Sequence, residues 1–275
     1  MILYRTQDGW LVEEAGRFAA LEETSLDALL AREDLQGYLA SQLGSGSRAG
    51  AIDAKKLLAP VGTQEVWAAG VTYLRSRAAR MAESKDAGGG DFYDRVYSAE
   101  RPELFFKALG QKVVGPGAAV GIRGDATWNV PEPELALAIN AAGKIVGYTI
   151  GNDMSSRDIE GQNPLYLPQA KVYNRSCALG PGILVTGEAL PRETRIAITI
   201  TRGAETAFAG ETNLAQMKRT PQELVEYLYR DQTFATGAFL LTGTGVVPPD
   251  SFTLEKGDVI RIAIDGIGEL VNEVG

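Results

Sequence analysis

Apolar and polar residues alternate with period two along most of this chain, the pattern of half-buried β-strands. The alternation is clear in ELALAIN (134–140), KIVGYTIGND (144–153), GILVTGEAL (182–190) and TRIAITITRGAETAFAGET (194–212), the last turning at Arg202-Gly203. QEVWAAGVTYL (64–74) reads as a buried strand, and the stretch 239–274 reads as strand, glycine turn, Pro-Pro loop and two more strands. Residues 1–60 read as a small α/β unit. ILYRT (2–6) and WLVEEA (10–15) form strands joined at Asp8-Gly9, and two short helices follow, capped by Ser25 and Asp34. GSGSRAG (44–50) reads as a flexible linker, and TPQELVEYLYRDQ (220–232) as an amphipathic helix with Thr220 and Glu223 in a capping box. Helical stretches are few and do not alternate regularly with strands. The prediction is therefore a mostly antiparallel or mixed β fold of class α+β, divided into a small domain (1–60) and a main domain (61–275), and not a Rossmann fold or a TIM barrel.

Two polar stretches interrupt this pattern. RSRAARMAESKDAGGGDFYDRVYSAERPE (75–103) reads as an exposed helix and a glycine-broken loop, either solvated surface or a lid. As a lid, it would bring Arg75, Ser76 and Arg77 to an anionic or hydroxylated substrate. In ERPELFFKALG (100–110), Phe105 and Phe106 are expected in the core, with Glu103 and Lys107 around them.

Acidic residues dominate the charge: the net charge is −8, and no basic cluster offsets it, which argues against nucleic acid or an anionic membrane surface as partner. No apolar run is long enough to cross a bilayer and no secretory signal is visible, and the single Cys177 excludes an internal disulfide or a multi-cysteine zinc site. These features point to the cytoplasm. The chain contains no histidine. That removes Ser-His-Asp triads, Cys-His dyads and HExxH metal sites, and leaves chemistry to carboxylates, lysine, tyrosine, hydroxyls or an oxygen-bound metal.

A hairpin turning near Ala142-Gly143 would place opposite each other residues whose numbers sum to 285, so that Glu132 faces Asp153. Glu134 shares a face with Glu132, because side chains alternate along a strand. Pro131 and Pro133 mark an edge or a strand start. Glu132 and Glu134 alone read first as the solvent face of an edge strand; Asp153 and Lys171 bring a convergent site into contention, which would need protons or a cation to offset the repulsion. An oxygen-only site selects a hard cation, Mg²⁺ first, then Mn²⁺ or Ca²⁺. Lys171, in LPQAKVYNRSCALGPG, sits among residues that look at least half buried, and beside a cation it becomes a usable base.

EPELA, GYTIGNDMSSRD, YLPQAKVY, CALGPGILV and LLTGTG, in that order, resemble the fumarylacetoacetate hydrolase family from about residue 65 to the C-terminus. The resemblance implies a mixed β-sandwich roll with a small N-terminal α/β domain, assembled as a homodimer or homotetramer. It implies Mg²⁺ or Ca²⁺ on Glu132, Glu134 and Asp153, and an active-site lysine at Lys171. The family's acylpyruvate hydrolases use a His-Glu dyad that this chain lacks. RPELFFKA, QNPLYLPQAKVY and TGTGVVP resemble instead the branch that dehydrates 2-keto-3-deoxy sugar acids such as 2-keto-3-deoxy-D-arabinonate, in which a glutamate matching Glu103 joins the lysine. The implied activity is Mg²⁺-dependent dehydration of such an acid to 2,5-dioxopentanoate through a metal-stabilised enolate. Arg75, Ser76, Lys107, Arg157, Thr242 and Thr244 are the candidate substrate contacts, and Glu160 follows Asp153 at a similar family spacing. The alternatives are hydrolysis, decarboxylation or isomerisation of an acylpyruvate-like 2-oxo acid, and a non-catalytic 2-oxo-acid-binding protein.

Overall fold

The computed structural model describes residues 1–46, 48–75 and 95–275. The first hairpin pairs β1 (Ile2–Thr6) with β2 (Gly9–Glu14), with Thr6 opposite Gly9. β3 (Arg17–Ala20) adds to β2. The helices α1 (Leu26–Leu30) and α2 (Leu35–Gly46) start where expected: Ser25 Oγ accepts from Ala28 N, and Asp34 Oδ1 accepts from Gly37 N at 2.8 Å. The expected linker at 44–50 is corrected. α2 continues through Gly46, and β4 (Arg48–Ala49) pairs with β3. Leu35, Leu39 and Leu43 form an i, i+4 stripe buried against the sheet, and that packing carries the helix past its glycines.

β5 (Glu65–Gly70), β6 (Glu103–Leu109), β8 (Pro133–Ile139), β9 (Ile145–Asp153), β11 (Cys177–Val185) and β14 (Ala238–Leu241) complete a ten-stranded sheet of order β4-β3-β2-β1-β11-β9-β8-β14-β5-β6. Only β5 and β14 pair in parallel, so the sheet is mixed, as the pattern predicted. A second sheet, β13-β12-β15-β16, is built from β12 (Arg195–Arg202), β13 (Glu205–Asn213), β15 (Val259–Ile264) and β16 (Gly268–Glu273). It packs on β8, β9 and β11. Leu135, Leu137, Ile150, Ile196, Ile198, Ile260 and Ile262 fill the space between the two sheets. The opposite face of the large sheet presents Ala136, Ala138, Leu179, Phe239 and Leu241 to the leucines of α1 and α2. Each buried leucine in either layer is worth about 2–5 kcal/mol against alanine.

Two short strands and two short helices connect these layers to the site. β7 (Asn129–Val130) pairs with β10 (Ser155–Ser156), and α3 (Arg157–Gln162) and α4 (Leu167–Lys171) follow. α5 (Pro221–Tyr229) begins at Thr220, whose hydroxyl accepts from Glu223 N; the Glu223 carboxylate meets Arg219 and does not close the reciprocal half of the capping box.

Candidate active site

The hairpin β8–β9 pairs Pro133 with Asn152, Glu134 with Gly151 and Ala138 with Gly147, each pair summing to 285. Asp153 N donates to Glu132 O at 3.0 Å, so Glu132 faces Asp153 as predicted. Pro133 opens β8, but β8 lies between β9 and β14 and is not an edge strand. Glu132 and Glu134 share the face of Ala136 and Ala138, while Leu135 points into the opposite core layer. The carboxylates of Glu132, Glu134 and Asp153 each offer an oxygen within 4.8 Å of the others, and all three residues are buried. Two ligands of one hard cation keep such a span when each sits about 2.0–2.6 Å from it.

Burial, then the charges of Asp153 and Glu132, push the Glu134 carboxyl well above the ordinary carboxylate range. At an effective dielectric near 20, like charges about 4 Å apart repel by about 4 kcal/mol, so a cation is the natural complement to this cluster. The oxygen-only donor set fits Mg²⁺ and carries no feature of a softer ion. Gly243, at the exit of β14, donates its N–H to Glu134 Oε2 at 2.5 Å. Gly243 holds φ +89°, and a Cβ there would fall 2.1 Å from Thr72 Oγ1, so only glycine brings that N–H to the carboxylate.

Lysine and arginine tie the cluster together. Lys171, the last residue of α4, donates from Nζ to Glu132 Oε2 at 2.7 Å, Asp153 Oδ2 at 3.1 Å and Ser155 Oγ at 2.6 Å. Arg157 Nη2 lies 2.6 Å from Glu132 Oε1, and its Nη1 lies 3.8 Å from Glu160 Oε2. Lys107 is fully buried, with Nζ 2.5 Å from Asp153 Oδ1 and hydrogen bonds to the carbonyls of Met154 and Lys171. Ser155 is a site residue that the sequence reading missed. Its signal lay in NDMSSRD, since positions 153, 155 and 157 share one face if the extended chain continues.

The pocket over the cluster is lined by Gly70, Val71, Glu103, Phe105, Glu132, Asp153, Glu160, Lys171 and Thr244 among others. The space inside it for a water-sized sphere is about 20 Å³. Val71, which follows β5, adopts φ +52°, a conformation unfavourable for a β-branched residue by about 1–3 kcal/mol and typical of functional sites.

The remaining candidates fall in different places. Lys107, a candidate substrate contact, does not line this pocket and is instead buried against Asp153. The physical reason is a bulge in β6: Val66 pairs with Ala108 and Trp67 with Phe106, leaving Lys107 unpaired and aimed inward. Phe105 and Phe106, expected in the core, are half-buried because β6 is an edge strand. Thr242 uses both its N–H and its hydroxyl on Leu135 O, away from the pocket. Arg75 lines a separate cavity of about 390 Å³ with Tyr73, Leu74, Phe208, Glu211 and Thr212. Ser76, Arg77 and the rest of the stretch through residue 94, on which the expectation of a lid falls, lie outside the described residues. Cys177 is buried, and burial pushes its thiol up to about 12, so it is inert.

Comparison with known proteins places this architecture. A probable 2-keto-3-deoxyxylonate dehydratase of Haloferax volcanii is 51% identical over 217 residues, covering 78% of this chain and 73% of the relative. A 2-dehydro-3-deoxy-D-arabinonate dehydratase of Saccharolobus solfataricus is 41% identical over 222 residues, covering 80% and 74%. Among solved structures, a 2-keto-3-deoxy-D-arabinonate dehydratase complexed with magnesium and 2,5-dioxopentanoate superposes with a TM-score of 0.85 at 34% identity, covering 100% of this chain and 98% of that one. The model of the fumarylacetoacetate (FAA) hydrolase C-terminal domain matches residues 65–275. With three converging carboxylates, a buried lysine and a mixed sheet of this order, the chain belongs to the fumarylacetoacetate hydrolase family.

Proposed function

We propose that this protein is a Mg²⁺-dependent hydro-lyase that converts a 2-keto-3-deoxypentonate, such as 2-keto-3-deoxy-D-arabinonate or its xylonate counterpart, to 2,5-dioxopentanoate. The observation that carries the reading is Lys171, whose ammonium is anchored on two of the three clustered carboxylates in a chain without histidine. The two dehydratase relatives support the substrate class. Glu132, Glu134 and Asp153 would hold the cation, which when bound supplies a Lewis acid for the carboxylate and keto oxygens of the substrate.

Lys171 Nζ, in its amine form, takes a proton from C3. Glu103, on another wall of the pocket, gives a proton to the C4 hydroxyl, which leaves as water as the C3–C4 double bond forms. A further proton shift from C5 to C3 leaves an enol at C5, which becomes the aldehyde. Atoms balance with loss of one water, and no external oxidant or reductant is needed. Arg157 and Lys107 hold Glu132 and Asp153 in place from outside the pocket, and Thr244 is the candidate contact for the substrate from the β14 side. Ser76 is a further proposed substrate contact, whereas Arg75 lines the separate cavity. The acidic composition supports cytoplasmic placement, and the family resemblance supports assembly as a homodimer or homotetramer.

Incubation with Mg²⁺ and 2-keto-3-deoxypentonate is expected to yield 2,5-dioxopentanoate, and a chelator is expected to stop it. An acylpyruvate run beside it should be left unchanged. Turnover of the acylpyruvate alone would replace dehydration by hydrolysis as the activity.

A further inference from the structure

We infer that Gly70 is a positioning residue for Glu103: the missing side chain at position 70 is the space in which the Glu103 carboxyl group lies. The inference rests on the role proposed for Glu103 above. Gly70 ends β5 and pairs directly with Glu103 at the start of β6, so the two residues address the same face of the sheet. A Cβ built on Gly70 would fall 2.1 Å from Glu103 Oε2, 2.5 Å from Cδ and 3.1 Å from Oε1. Its three nearest neighbours are thus the atoms of that one carboxyl group.

Backbone conformation gives no competing reason for glycine at this position. Gly70 is absent from the residues with positive φ, and the left-handed turn falls one residue later, at Val71. In a strand interior or end, glycine costs stability and packs nothing, so its presence marks a close approach by another group. Here that group is the acid of the pocket. Gly70 lets the carboxyl group fold back over β5 and rest against the strand, and Gly70 and Glu103 line the pocket together.

Any side chain at position 70 forces the Glu103 carboxyl group to move by roughly 1 Å or more. The neighbour that must yield is the far end of a side chain and not backbone, so the fold can absorb the change. Catalysis cannot, because a displacement of about 1 Å of a reacting group costs about 10²-fold in rate. Gly70→Ala is therefore expected to lower kcat by about 10²-fold, while KM, the Mg²⁺ dissociation constant from calorimetry, and Tm stay near wild type.

The discriminating experiment compares Gly70→Ala, Glu103→Gln and the double variant. If Gly70 acts through Glu103, the double variant is no slower than Glu103→Gln alone. Near-wild-type kcat in Gly70→Ala, beside a slow Glu103→Gln, overturns the inference. So does a double variant much slower than Glu103→Gln, or a Gly70→Ala variant that loses Mg²⁺ affinity. Should Gly70→Ala lower Tm, Glu103→Ala in the same background must restore it; a Tm that stays low also overturns the inference. Wild-type turnover by Glu103→Gln sinks the role of Glu103 itself, and the inference with it, and is read from that variant alone.

Discussion

The ammonium of Lys171 rests on Glu132 and Asp153, two of the three carboxylates that would hold a divalent cation. Removing the ammonium therefore frees negative charge for the metal while removing the base. Lys171→Met is expected to bind Mg²⁺ severalfold more tightly in calorimetry and to lose about 10²–10⁴ in turnover. Weaker Mg²⁺ binding in that variant would contradict the competition. Lys107 is the opposite case, a buried cation that serves the carboxylates from below. Lys107→Met removes one of the two ammonium groups that hold Asp153, leaving only Lys171, and should cost up to about 3–5 kcal/mol in denaturant unfolding. At this scale the convergence of the three carboxylates was legible, because Glu132, Glu134 and Asp153 follow from strand alternation and one hairpin. Lys107 was not. Its inward aim depends on a bulge opposite Val66 and Trp67, and nothing in ELFFKAL marks where an edge strand gains its extra residue.

At the scale of elements, the β8–β9 register is set by the turn at Asn140–Lys144, where Asn140 N donates to Lys144 O and Gly143 holds φ +74°. Alternation excludes a one-residue slip and the turn position selects among the rest, which is why the sum of 285 could be read in advance; the bulge that pairs Ile139 with Ile145 could not. α2 shows the converse: glycine and serine composition suggested a linker, and burial of Leu39 and Leu43 overrode it. The second sheet has its own electrostatic latch. Arg202, at the end of β12, meets Asp258 through Nε–Oδ1 and Nη2–Oδ2 contacts, both 2.8 Å, and joins β12 to the start of β15. Burial disfavours the Asp258 charge, but Arg202 and the Glu255 N–H outweigh it and hold the carboxyl below its ordinary range. A depressed carboxyl adds stability that is present above about pH 4 and is lost as the pH falls through the lower folded-state value. Asp258→Asn should therefore lower stability at pH 7 by about 1–2 kcal/mol, a figure discounted because Arg202 is partly solvated, and should flatten that part of the acid limb. Equal unfolding curves for variant and wild type at pH 7 would remove the latch from the account.

For the whole molecule, the sheet does not stop at the boundary near residue 60. β1 pairs antiparallel with β11, through Ile2 with Leu184 and Leu3 with Ile183, and one core layer joins Leu3, Val12 and Leu29 to Leu179 and Phe239. A pairing across some 180 residues leaves no local trace in sequence, so the N-terminal unit read as separate while its place in the sheet stayed hidden. A chain of residues 61–275 alone should expose that layer and fail to fold, giving aggregates in size-exclusion chromatography and no cooperative melt; a folded, Mg²⁺-binding fragment would show the opposite. The account's central claim concerns what the assembled pocket does to its substrate: Lys171 takes the C3 proton and Glu103 releases the C4 hydroxyl. Proton NMR of 2-keto-3-deoxypentonate in D₂O with Mg²⁺ tests it most directly. Wild type should form 2,5-dioxopentanoate, Glu103→Gln should exchange the C3 protons for deuterium above the enzyme-free rate without losing water, and Lys171→Met should do neither. Dehydration by Glu103→Gln at the wild-type rate, or enzyme-dependent C3 exchange surviving in Lys171→Met, would contradict it.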